Sequence, residues 1–417
     1  MFSYYLVNRN FMKMWSSNLS SILGGRFKEL AIPLIVLSLT KSPFITGLVA
    51  LSQQLGSILL AVPMGTWIEG KNKRTIAVFS KLFSFIIVFF LSLLLFSNQI
   101  NSLLIASLLF LAGVSGLASR TAFNAMIPSV SGRDKLVNAH TSLEAADAIA
   151  TLIGPLVGGI LIARYGASMT MAICSLFILL SMIWMWRVKF TEDVGASPSK
   201  ENHVREKMRS FAEKSKEGFK YLVDNEFQFI STVTICVLSF STSFVVLTVI
   251  IHGKNTLNLD PDSIGFLLAC AGIGNIAGVL LLKWMNQLSW IPTLAVLLAI
   301  SGAGTLLLSI SYNYWLSCFG MILFDGVLSM AFVVQASVHQ GITPDGALSR
   351  VRSSTYVLGG IFAMLGSFLS GAIPAFATTN AALAVGALVL MIPAIYIYSL
   401  KKRSVPMNQV EPISLKG

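Results

Sequence analysis

Charge is what this sequence has least of. Only 12% of its 417 residues are Asp, Glu, Lys or Arg, against about 25% in an ordinary soluble domain, so a water-facing globular fold is excluded. Short segments of alternating hydrophobicity are missing too, which excludes a transmembrane β-barrel. No Gly-x-x-x-x-Gly-Lys-Ser/Thr run occurs, and ATP drive within this chain is not expected. The cysteines are few, Cys174, Cys236, Cys270 and Cys318, and all fall in apolar runs without metal-ligand spacing. They read as small buried hydrophobes, with no disulfide, metal or cofactor implied. Neither a His/Cys cluster nor nucleophile-triad spacing is visible, so an enzyme is not expected. A cleavable signal pattern is also absent: Arg9 and Lys13 lead into an apolar run that reads as an uncleaved anchor.

What is present is long apolar runs, in a chain that is 55% hydrophobic. Runs of about 18 residues or more mark spans, and they predict an all-α membrane protein of twelve transmembrane helices: 15–38, 44–68, 76–97, 102–127, 139–163, 168–187, 228–251, 263–283, 291–311, 314–340, 351–376 and 379–399. Trp15, Trp67, Trp184, Trp186, Trp290, Tyr312 and Trp315 stand near span ends, as an interfacial belt requires. The formal charge of +12 does not imply nucleic acid, because the basic residues cluster between spans. Arg9, Lys13, Lys71 to Arg74, Arg133, Lys135, Arg350, Arg352 and Lys401 to Arg403 fall on one side. The positive-inside rule then puts both termini in the cytoplasm of a multi-pass protein of the cell membrane.

The long connection is 188–226, where interleaved Lys, Arg and Glu suit a solvated linker with a surface helix. It separates a six-helix half at 1–187 from one at 227–400, with a cytoplasmic tail at 401–417. The halves repeat. Gly47 opens the second span as Gly265 opens the eighth; Gly113-Val114 and Gly326-Val327 correspond, as do Gly158-Gly159 and Gly371. Two parallel repeats around a midplane site suit a transporter that rocks between two openings.

Charges inside the spans carry the chemistry. A charge near a helix centre costs roughly 2.5–3.5 kcal/mol on insertion scales, so it is retained for function. Arg26, Lys28 and Glu29 lie near the middle of the first span, with Arg26 and Glu29 three apart on one face. Arg120 precedes Pro128 in the fourth span, and Asp147, with Glu144 and His140 before it, lies at similar depth in the fifth. An Arg120–Asp147 pair would let a carboxylate trade its arginine for a proton; a static ion pair is the other reading. Lys81 is expected to snorkel, and His339 and Gln340 to be structural.

The loop Gly65-Thr-Trp67-Ile-Glu69-Gly-Lys71-Asn-Lys73-Arg74 resembles the major facilitator superfamily pattern Gly-x-Leu-Ala-Asp-Arg-x-Gly-Arg-Arg, with Glu69 for the acid and Asn72 for a glycine. The run Ala150-Thr-Leu-Ile-Gly154-Pro155-Leu-Val-Gly158-Gly159 is similar to the antiporter motif of exporters, with Ala150 for its first glycine. Asn8-Arg9-Asn10-Phe11 with Trp15, and Thr40 to Ala50, resemble the twelve-span macrolide-efflux-like drug:proton antiporters. Members often carry Gly-Asp where this chain has Gly24-Gly25; either Glu29 takes that acid's role or the role is absent here.

The resemblance covers nearly the whole chain. It implies two pseudo-symmetric six-helix bundles, a cytoplasmic gate at Gly65, Glu69, Lys73 and Arg74, and an outer seal at Gly154, Pro155, Gly158 and Gly159. Glu29, Asp147, Glu144, Arg120 and Arg26 become candidates for proton coupling. Asp325 lies on a helix that lines the cavity in this superfamily, and Phe123, Phe240, Phe244, Phe324, Phe332 and Tyr356 are candidate apolar cavity residues. The implied activity is export of an amphiphilic small molecule, drug or metabolite, in exchange for protons, by a monomer in a lipid bilayer without ATP. A proton falling through 100 mV yields about 2.3 kcal/mol for such work. An importer of the same fold and a non-transporting receptor or assembly protein are the alternatives.

Overall fold

The computed structural model describes residues 8–68, 71–97, 99–132, 135–190, 222, 225–282, 285 and 287–409. The linker helix expected within 188–226, Glu69 of the expected gate, and 410–417 of the tail lie outside the described residues or almost entirely so.

The described residues are helical nearly throughout. The main helices are α1 (Arg9–Thr40), α2 (Pro43–Leu59), α3 (Ala61–Ile68), α4 (Lys73–Phe96), α5 (Ser102–Ser131), α6 (Leu136–Trp186), α7 (Glu226–Asn255), α8 (Pro261–Leu282), α9 (Trp290–Ile310), α10 (Tyr314–Gly341), α11 (Asp345–Phe376) and α12 (Thr379–Ser399). Asparagine starts many of them. The side chains of Asn8, Asn72, Asn101, Asn225 and Asn313 each accept a backbone N–H of the first turn, satisfying groups the helix leaves unpaired. Asn72, a departure from the superfamily pattern, therefore has a local reason: it caps α4, accepting Thr75 N at 3.0 Å.

Eight of these helices are long and apolar enough to cross a membrane. The face of α4 bearing Phe79, Phe83, Ile86, Phe90 and Leu93 is exposed, the helical spacing of a lipid-facing stripe. Helix α6 counts as one of the eight, yet at 51 residues a straight rod would run about 76 Å, far beyond the roughly 30 Å hydrocarbon core. It breaks at Gly166, whose φ of 77° is non-helical and suits glycine. Contacts with α1 show that the chain reverses there. Before the break, Trp15 Nε1 donates to Ser142 O at 2.7 Å and Arg26 to Thr151 Oγ1 at 2.9 Å, so both helices ascend together. After it, Ser17 Oγ donates to Ser181 O at 2.8 Å, and a side chain at Gly24 would meet Cys174 O at 3.2 Å, so the second limb runs back down α1.

The chain forms two compact units. The first takes Met1–Lys41, Leu48–Met208 and Asp260–Ala269; the second takes Ser42–Gly47, Arg209–Leu259 and Cys270–Gly417. Two short exchanges thus interrupt the chain order, each marked by a glycine pair. In the first unit, a Cβ on Gly159 would lie 3.0 Å from Gly265 Cα; in the second, one on Gly47 would lie 2.9 Å from Gly371 Cα. These are the repeat-related positions of the sequence, and only residues without side chains allow such backbone approach.

In the first unit, Phe11, Met14, Ile76, Ala122, Met126 and Met185 bring α1, α4, α5 and the end of α6 into one buried cluster. In the second, part of the tail is tied down. Trp290 N donates to Val405 O at 3.2 Å, Met407 N to Leu288 O at 3.1 Å, and Arg403 pairs with Glu226 at the start of α7.

Candidate functional site

The first unit encloses a cavity of about 770 Å³, walled by α1, α2, α4, α5 and both limbs of α6. Its lining is polar. Asn18, Ser21, Gly25, Lys28 and Glu29 of α1 face it at the three- and four-residue spacing of one helical face. Gln53, Gln54, Ser84, Ser119 and Asn124 join from α2, α4 and α5. The charged groups expected to act together, Arg26, Glu29, Arg120, Glu144 and Asp147, all line this one cavity, as do Lys28, Lys81 and His140.

Asp147 has a different partner from the one its depth suggests. Arg26 Nη2 lies 3.5 Å from Asp147 Oδ1, and Arg26 Nη1 lies 3.1 Å from Glu29 Oε2. The same guanidinium donates to Thr151 Oγ1. One arginine of α1 therefore bridges a carboxylate of its own helix and one of α6. Two local features allow it. Helical side chains lean toward the N-terminus of their helix, which carries Arg26 toward Asp147. Gly154 lies directly against the Arg26 side chain, and any Cβ there would overlap it. The expected Arg120–Asp147 pair is not formed. Among the described residues, Arg120 makes no ion pair or hydrogen bond and is exposed to the cavity.

Lys81 does not snorkel. It is 5% exposed, and its ammonium donates to Ser181 Oγ at 2.8 Å. Ser181 Oγ in turn donates to Ser17 O at 2.6 Å, tying α4 through α6 to α1. This polar knot escaped the sequence reading because serine is common in apolar helices and gave no sign that Ser17 and Ser181 converge.

The apolar candidates scatter. Phe123 lines the cavity. Phe244 and Phe324 are fully buried in the second unit, and Phe240 stacks on Phe244 with ring centroids 5.2 Å apart. These three are packed core. Phe332 is half-buried and Tyr356 is 52% exposed. Asp325 accepts from Asn275 Nδ2 at 3.1 Å within the second unit. The first-unit cavity itself is lined by charged and polar side chains, with Phe123 the one of these aromatic candidates in its wall.

The two motif regions are built as follows. A Cβ on Gly158 would meet Phe27 Cα at 3.3 Å. Gly154 and Gly158 thus seat α1 on α6, while Gly159 and the Pro155 carbonyl meet the first turns of α8. Pro155 lies inside α6. Gly65 belongs to α3. Arg74 donates to the carbonyl of Trp186 at the end of α6, and Lys71 Nζ sits 3.8 Å from the Trp67 ring centroid. Lys73 opens α4.

Comparison with known proteins gives the fold a context. A major facilitator family model described as transmembrane secretion effector matches residues 4–415. No curated protein matches the sequence. Among solved structures, a variant of the nucleoside transporter NupG superposes with a TM-score of 0.74 at 9% identity, covering 94% of this chain and all of that one. A bacterial homologue of the iron transporter ferroportin in its inward-facing state gives 0.73 at 13%, covering 94% and 99%. A bacterial homologue of the lysosomal transporter Spinster gives 0.69 at 15%, covering 97% and 98%.

Proposed function

The chain belongs to the transmembrane secretion effector family of the major facilitator superfamily, a multi-pass membrane transporter and not an enzyme, and from that premise we propose that it exports an amphiphilic small molecule in exchange for protons. The observation that carries this reading is the Arg26 bridge to Asp147 and Glu29 in the wall of a cavity. Exchange needs a carboxylate that takes a proton when the cavity opens to one side and gives it up on the other. Protonation of Asp147 or Glu29 weakens its hold on Arg26 and loosens this one tie between α1 and α6. Deprotonation restores the bridge. Glu144 lines the same cavity and can relay.

Twelve spans in two pseudo-symmetric six-helix halves suit this mechanism. The break at Gly166 supports two spans within α6, and the glycine pairs at Gly159–Gly265 and Gly47–Gly371 support the repeat. The gate at Gly65, Glu69, Lys73 and Arg74, the motif at Gly154, Pro155, Gly158 and Gly159, and a monomer in the cell membrane with both termini cytoplasmic complete the proposal. Asp325, with Phe332 and Tyr356, remains the second unit's candidate for substrate contact.

The test uses inverted membrane vesicles from cells producing the chain and a panel of amphiphilic drugs. An imposed acid interior should drive accumulation of at least one compound, and a protonophore should abolish it. Gradient-driven uptake seen only in right-side-out vesicles would make the protein an importer.

A further inference from the structure

By formal count the cavity is lined by one more cation than carboxylates. Four cationic side chains and three carboxylates line it. Arg26 engages two of the carboxylates, while among the described residues Lys28, Lys81 and Arg120 make no ion pair. Lys81 is nearly fully buried and has one hydrogen-bond partner, a serine hydroxyl, although an ammonium has three donors. Arg120 lines the cavity and, among the described residues, makes no ion pair or hydrogen bond.

These two cations lie close in depth. Ser84 Oγ and Ser115 Oγ meet at 2.6 Å and set α4 against α5. The two helices are consecutive and antiparallel, so Lys81, one turn before Ser84, and Arg120, just over a turn after Ser115, are displaced toward the same end. Their levels differ by about 3 Å. Unpaired cations at membrane depth are costly and mark a path for a charged partner. A forked guanidinium and an ammonium at about one level of the same cavity suit a carboxylate, which accepts two parallel hydrogen bonds from arginine.

We propose that the transported amphiphile carries an acidic group, and that Arg120 and Lys81 bind its carboxylate. This rests on the exporter reading and gives its substrate a class. Arg120 is then a substrate anchor, not the partner of Asp147, and the Arg26 bridge is left free to handle protons.

The full chain in phosphatidylcholine nanodiscs, where no anionic headgroup competes, provides the test. The probes are 11-(dansylamino)undecanoic acid and its uncharged primary amide, titrated by fluorescence. The acid should bind at least about tenfold more tightly than the amide, the margin of a charge-assisted pair. Arg120→Gln should erase that preference. Arg120→Lys should keep part of it, and Lys81→Gln should reduce it, so the result does not hang on one variant. Equal binding of acid and amide by the wild type, or a preference that survives both Arg120→Gln and Lys81→Gln, overturns the proposal. Flux separates it from the function it rests on. Proton-driven export of uncharged or cationic compounds without acid preference sinks the substrate class alone. Arg120-dependent acid binding without proton-driven flux upholds the class and sinks the exchange mechanism.

Discussion

Arg26 reaches from α1 to within 3.5 Å of Asp147 on α6, across the gap that Gly154 leaves open. Without a side chain at 154, the arginine lies flat against the neighbouring helix; with one, it is pushed away. Gly154→Val should therefore break the bridge without removing any charged group. Proton-driven transport is expected to fall at least about tenfold, since a branched side chain at a tight helix contact forces the pair apart. Transport unchanged in a well-expressed Gly154→Val protein would show that the bridge does not serve coupling.

The glycine pair Gly159–Gly265 gives a second expectation. Alanine at either position meets backbone, whereas alanine at Gly116 meets nothing within 4 Å. Gly159→Ala should lower the thermal unfolding temperature in detergent or slow transport, and Gly116→Ala should leave the unfolding temperature alone. Equal behaviour of the two variants would contradict the close approach.

Ser181→Ala removes the hydroxyl that receives the Lys81 ammonium. The stranded donor should cost about 1–3 kcal/mol, read as a lower unfolding temperature in detergent. A Lys81→Met, Ser181→Ala double variant should recover part of the loss, because no buried cation is left without its partner. Additive losses would mean that the two residues do not act together.

Orientation is open to a simple assay. A reporter fused after Gly417 or inserted near Ser199 should read cytoplasmic, and one near Asn258 exterior, as the basic loops require. An exterior signal at Ser199 would reverse the topology.

Much of this was legible in the sequence, and the failures have physical reasons. The all-helical membrane class showed because apolar length is read directly along the chain, and eight of the described helices are long and apolar enough to cross a membrane. The cluster of Arg26, Glu29, Arg120, Glu144 and Asp147 showed because buried charge is rare. Depth along a helix follows from counting; the direction in which a side chain points around its axis depends on its neighbours. That is why Asp147 was assigned to Arg120 when Arg26 holds it. Phe244 and Phe324 are fully buried in the second unit, and an aromatic residue in an apolar helix looks the same in sequence whether it faces core, lipid or cavity. A usable signal was overlooked: Asn18, Ser21, Gly25, Lys28 and Glu29 mark one polar face of α1, the face that lines the cavity.

In the proposed exchange, Asp147 and Glu29, held by Arg26, couple protons to export. Asp147→Asn and Glu29→Gln keep size and hydrogen bonding but cannot titrate. Each variant, and the double variant, would be reconstituted in proteoliposomes with a substrate from the vesicle panel, measuring pH-driven accumulation beside downhill exchange. At least one single variant is expected to lose accumulation against the gradient while retaining substrate binding and exchange. If both single variants and the double variant still concentrate substrate with the wild-type pH dependence, the bridge is structural and the coupling site lies elsewhere.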